Sequence, residues 1–81
     1  MQFNKELKSA AAAYIMGFSP NVKVAGSSNE IKTFSEVLES SRAVYELLQG
    51  NTTIDIISEA LAAKSKKASL FTEATGHQWP F

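Results

Sequence analysis

The sequence predicts an all-α fold of three helices, and three observations carry that reading. Apolar residues recur at three- and four-residue steps through three long segments. Each segment opens on a capping residue, and glycine or proline separates one from the next. Eighty-one residues make one domain, so residues 1–81 are read as a single helical domain with a short aromatic C-terminal tail, residues 77–81.

The first helix starts from Asn4, whose side-chain oxygen suits an N-cap, and runs to about Met16 with Gly17 beyond its end. Phe3, Leu7, Ala10, Ala11, Tyr14, Ile15 and Phe18 mark its apolar face. The run Ala10 to Ala13 combines high helix propensity with a low profile, which lets a neighbouring helix approach closely. Ser19-Pro20-Asn21 then breaks the helix, because proline disfavours a helical residue before it. In Asn21 to Gly26, Val22 and Val24 face one way and Lys23 the other, the period of a strand. No second strand is evident to satisfy its backbone groups. Two readings stay open for residues 21–25: one short strand, or an extended loop.

Ser27 and Glu30 stand at capping-box spacing and open the second helix, which should run to Gln49 and end at Gly50-Asn51. Ile31, Phe34, Leu38, Ser41, Tyr45 and Leu48 form its stripe. Val37 and Val44 flank that stripe and widen it enough to meet two neighbours, while Glu36, Glu39 and Glu46 take the wet side. Thr52 and Asp55 are a second capping pair for the third helix. Ile54, Ile57, Leu61, Ala68 and Phe71 should share one face, with Lys64 as the break in the pattern. With no glycine or proline between Ala62 and Ser69, this helix is expected to continue to Thr75 and stop at Gly76.

Composition narrows the function. The chain has no cysteine, which removes disulfides and most zinc sites, and the single His77 cannot build a metal site alone. No cofactor is implied. A domain this small buries only ~60% of its unfolded surface, so support from association is expected and the chain is read as a homo-oligomer. Eight basic and eight acidic residues cancel, whereas nucleic-acid binders are normally basic. Their distribution is uneven: residues 1–26 carry Lys5, Lys8 and Lys23 against Glu6, and residues 27–50 carry four glutamates against Lys32 and Arg42. No segment approaches the ~20 apolar residues that span a bilayer, so the reading is a cytoplasmic protein without membrane insertion.

Catalysis finds no footing, since there is no cysteine nucleophile, glycine-rich phosphate loop, or histidine set beside a carboxylate at helical spacing. The chain is therefore read as a non-enzymatic regulatory or assembly adaptor acting by protein–protein contact. An alternative is a helix-turn-helix regulator: Val44 to Asn51, Thr52 to Ala62 and Ser65 to Phe71 resemble the rhythm of winged-helix repressors. That resemblance would turn Ser65, Lys66, Lys67 and Ser69 toward the major groove. Against it, Ala63-Lys64-Ser65 lacks the usual turn glycine. A structural component of a virion or complex is a third reading. For protein contact the candidate residues are Trp79, Phe81, Tyr45 and Arg42. Trp79 and Phe81 leave much apolar surface to cover, and Pro80 stiffens the segment between them. That tail either caps the chain's own core or docks into a partner.

The stretch Ser40-Ser41-Arg42-Ala43-Val44-Tyr45-Glu46-Leu47-Leu48 and the ending Phe71 to Phe81 resemble small cytosolic accessory proteins of tailed bacteriophages. Soluble lysis-inhibition antiholins are similar in size, neutrality and helical content. The resemblance spans residues 20–81 loosely. It implies a protein that binds the cytosolic part of a membrane-embedded lysis protein, and it assigns no role to any single residue.

Overall fold

Local capping sets where each helix begins. In a computed structural model covering residues 1–81, the chain forms α1 (Lys5–Ile15), α2 (Ser28–Gln49) and α3 (Ile54–Thr75), with no strand. Asn4 accepts a hydrogen bond from the Leu7 N–H at 3.0 Å and so satisfies one of the open donors of α1. At the other end Gly17 takes φ 101°, and the Phe18 N–H returns to the Ala13 carbonyl at 3.0 Å, a Schellman closure. Ser27 and Glu30 form a full capping box at the start of α2.

The cap of α3 departs from expectation by one residue. Thr53, not Thr52, is the N-cap, its hydroxyl accepting from the Ile56 N–H at 3.4 Å. Asp55 thus falls in the first turn, where a carboxylate suits the positive end of the helix dipole but cannot complete a box. From there α3 passes Ala63 to Ser65 without a break and ends at Gly76.

α1 and α2 run in the same direction. Met1 lies against Glu30 at 2.8 Å, Phe3 against Phe34, and Tyr14 against Glu39. The connection from Met16 to Ser27 must therefore return the full length of α1. It does so as an extended loop, which settles residues 21–25 as loop and not strand, and it presses Val22 and Val24 onto the core. α3 lies antiparallel to α2, with Lys67 of α3 3.4 Å from Glu36 of α2.

One core cluster holds the fold: Phe3, Leu7, Ala11, Phe34, Val37 and Phe71, with Val22, Val24, Leu38, Ala68 and Trp79 packed around it. Ala11, from the alanine run, is nearly fully buried, as close helix approach requires. The buried line of α2 is Thr33, Phe34, Val37, Ser41 and Val44. Val37 and Val44, expected to flank the stripe, thus belong to its centre, while Ile31 and Leu48 at the stripe's ends are exposed. On α3 the expected face exists, but only Phe71 on it is buried; Ile57 and Ala68 are half-buried, and Ile54 and Leu61 are exposed. The physical reason is length. α1 and the tail cover the half of the α2–α3 pair near the chain termini and leave the half near Gly50 bare.

Candidate functional site

The tail crosses the bundle and packs in cis. Gly76, at φ 77°, turns the chain out of α3. The His77 N–H then donates to Thr75 Oγ1 at 3.1 Å, and His77 Nε2 lies 3.2 Å from the Met1 carbonyl oxygen. Because a carbonyl only accepts, that contact requires the proton on Nε2. Trp79 stacks on Phe3 with ring centroids 5.7 Å apart and meets Phe34 and Phe71 edge-on at 5.9 and 5.3 Å, the favoured aromatic geometries. Its indole N–H donates to Ser41 Oγ at 2.8 Å, and that hydroxyl donates in turn to the Val37 carbonyl at 2.8 Å.

Of the four residues proposed for protein contact, Trp79 is thus committed to the chain's own aromatic cluster. Phe81 rests edge-on against Trp79 at 5.4 Å with its ring partly exposed, and its main-chain oxygen accepts from Lys64 Nζ. Arg42 lies over the Tyr14 ring, 4.6 Å from its centroid, and donates through Nε to Glu46 at 3.1 Å. Tyr14 donates to Glu39, and that bond, followed by partial burial, raises the phenol above its usual value. The Tyr14 hydroxyl and then Glu46 hold Arg42 more firmly protonated. Tyr45 is half-buried further along α2. Tyr45 therefore lies nearest the bare half of the α2–α3 pair, whereas Arg42, held against Tyr14 of α1, and Trp79 belong to the covered half.

The DNA-contacting set is not presented as a helix-turn-helix would present it. No turn separates Thr53–Ala62 from Ser65–Phe71, since α3 is continuous there. Lys67 is paired with Glu36 at 3.4 Å and Lys64 is engaged by Phe81, while Ser65, Lys66 and Ser69 are exposed along α3. No three His, Asp or Glu side chains converge as metal ligands. An open hollow of about 590 Å³ is lined by Met1, Leu7 and Val22 as well as Gln2, Glu6 and Lys23.

Sequence reasoning missed a different surface. Leu48 at the end of α2 and Ile54 and Leu61 at the start of α3 are exposed, Leu48 by 61% and Ile54 by 78%. Leu48 continues the seven-residue line Phe34–Ser41–Leu48, and Ile54 and Leu61 continue to Ala68 in the same way. The lower parts of both lines lie under α1 and Trp79; the upper parts lie under nothing. The signal was present as the apolar stripe itself, but a stripe does not reveal where its cover stops. No helix of the structure is long and apolar enough to cross a membrane. No protein-family model, curated protein or solved structure matches the chain.

Proposed function

We propose that the chain is a regulatory or assembly adaptor that works in the cytoplasm by protein–protein contact and catalyses no reaction. One observation carries this reading: the uncovered apolar end of the α2–α3 pair, where Leu48, Ile54 and Leu61 face solvent in line with the core. Isolated exposed apolar residues are ordinary, but a contiguous patch continuing a packed seam marks an interaction surface. Tyr45 borders it and supplies a residue type that anchors interfaces. On the resemblance to soluble antiholins, the partner is the cytosolic part of a membrane-embedded lysis protein. As a component of a virion or larger complex, the chain would use the same surface.

The test is recovery of bound proteins from the native host with tagged wild-type chain and with the Leu48→Glu, Ile54→Glu double variant. The variant is expected to keep its helical circular dichroism and to lose the partners the wild type retains. Identical recovery by a folded variant would remove this surface from the account. DNA binding has no comparable support, since two of the three clustered lysines, Lys64 and Lys67, are held within the chain.

A further inference from the structure

We infer that the occupant of the bare apolar end is a second copy of the chain, docked two-fold so that two α2–α3 turn ends form a local four-helix bundle. This rests on the protein-contact reading and names the first partner at that surface. Four features of the molecule support a copy of itself.

The first is continuity. Phe34–Ser41–Leu48 on α2 and Ile54–Leu61–Ala68 on α3 are seven-residue lines, the spacing along which helices pack against helices. In the lower half those lines meet α1 and the tail; in the upper half the same seam needs another helical pair to continue the packing.

Charge is the second. A two-fold interface buries the same patch of both copies against itself, so a seam of one charge sign would repel itself. Leu48, Ile54 and Leu61 carry none; Glu46, Asp55 and Glu59 lie roughly 100° or more round their helices from that line at 3.6 residues per turn, and Lys64, about 60° from Leu61, is held by the Phe81 main-chain oxygen. Their acidic side chains stay in solvent when the seams meet.

Area is the third. The accessible surface is 5337 Å². A typical folded monomer of 8.8 kDa exposes about 4,800 Å². The excess, roughly 500 Å², is below the ~800 Å² per partner of a standard interface and matches what each partner contributes to a small, weak one. The radius of gyration, 12.7 Å, exceeds the about 11.7 Å expected for this length in the same sense.

Shape is the fourth. The principal hollows lie elsewhere, and none of them is lined by Leu48, Ile54 or Leu61. Exposed apolar side chains at three- and seven-residue spacing suit ridge-into-groove packing of helices.

The experiment pairs sizing with cross-linking on the full chain. Light scattering of wild type at about 100 µM is expected to give twice 8.8 kDa. The Leu48→Glu, Ile54→Glu variant should raise the dimer dissociation constant about a hundredfold, as for loss of central apolar anchors. Because the chain has no cysteine, Leu48→Cys, Ile54→Cys and Leu61→Cys report contact across the two-fold without background. At least one of them should oxidise to a covalent dimer at low protein concentration while Ser9→Cys, on the outer face of α1, does not. These single variants keep the test valid should the double glutamate variant unfold. A wild-type monomer would overturn the second copy as occupant and leave the adaptor reading to the recovery experiment. A dimer that cross-links at Ser9→Cys and at none of the three would overturn the choice of face. Different proteins captured by an otherwise monomeric chain would assign the surface to another partner.

Discussion

Trp79 and Ser41, thirty-eight residues apart, are joined by an indole N–H donated to a hydroxyl at 2.8 Å inside the aromatic cluster. The bond explains why a serine stands in the apolar line of α2. Indole is a donor only, and a buried donor without an acceptor is destabilising by about 1–3 kcal/mol. Ser41→Ala is therefore expected to lower stability by about that amount, although it removes one oxygen and improves helix propensity. Trp79→Ala removes the stacking on Phe3 as well and should lose about 3 kcal/mol or more. Urea unfolding of the two variants checks the order. A Ser41→Ala protein as stable as wild type would show that the tail does not depend on this bond.

Acid stability should depend on Glu30. Its carboxyl accepts from the Met1 amino group at 2.8 Å and from the Ser27 N–H at 2.8 Å, and these two bonds, in that order of weight, hold it below the ordinary carboxylate value of 4.5. A folded-state value below the unfolded one means stability that is complete above the unfolded value. It is then lost as pH falls through the lower folded value. Unfolding followed from pH 7 downward should thus steepen below 4.5 in wild type, and Glu30→Gln or acetylation of the Met1 amino group should flatten that limb. Equal pH profiles for wild type and Glu30→Gln would refute the assignment.

The contrast between these two sites shows what the sequence discloses. Caps are local, so Asn4 and the Ser27–Glu30 box were legible from spacing alone. Thr52 and Thr53 offer the same hydroxyl side by side, and the acid three residues after Thr52 favoured the wrong one, because Asp55 helps a first turn without bonding back. The three helices and the unbroken passage through Lys64 follow from periodicity and the lack of breakers. Burial is not local. Leu48, Ile54 and Leu61 obey the same repeat as Phe34 and Phe71, yet their exposure depends on how far α1 and the tail extend. The tail's destination was likewise hidden, because nothing in residues 77–81 specifies a serine in mid-α2. The one cue was that serine itself, a hydroxyl on an otherwise apolar line.

Duplex DNA should not be retained at ~150 mM salt. Weak electrostatic binding is much reduced there, and a binder needs several free cations on one face. In the cluster at residues 64–67, Lys64 and Lys67 are engaged with Phe81 and Glu36, which leaves Lys66. An electrophoretic shift that survives this salt and disappears on Lys66→Ala would restore the nucleic-acid reading. The expected result is no shift for either protein.

Two glycines close helices in different ways, and alanine separates them. Gly76 sits at φ 77°, in the left-handed region, with no heavy atom within 4 Å of where a Cβ would stand. Any penalty for Gly76→Ala is therefore backbone strain, about 1–2 kcal/mol for a residue with a Cβ in that region. Gly50 has φ −108° and ψ 179°, extended geometry that any residue adopts, and its nearest would-be neighbour is the Glu46 carbonyl oxygen at 3.8 Å, ordinary contact. Gly50→Ala should therefore leave the fold intact and stabilise it by about 0.4–1 kcal/mol through the smaller entropy of the unfolded chain. Urea midpoints should move in opposite directions for the two variants. Because Gly76 aims the tail, its variant should also weaken the Trp79 packing, visible as a red shift in tryptophan emission that Gly50→Ala does not share. Shifts of the same sign and size in both would mean that the turn after α3 does not depend on the left-handed glycine.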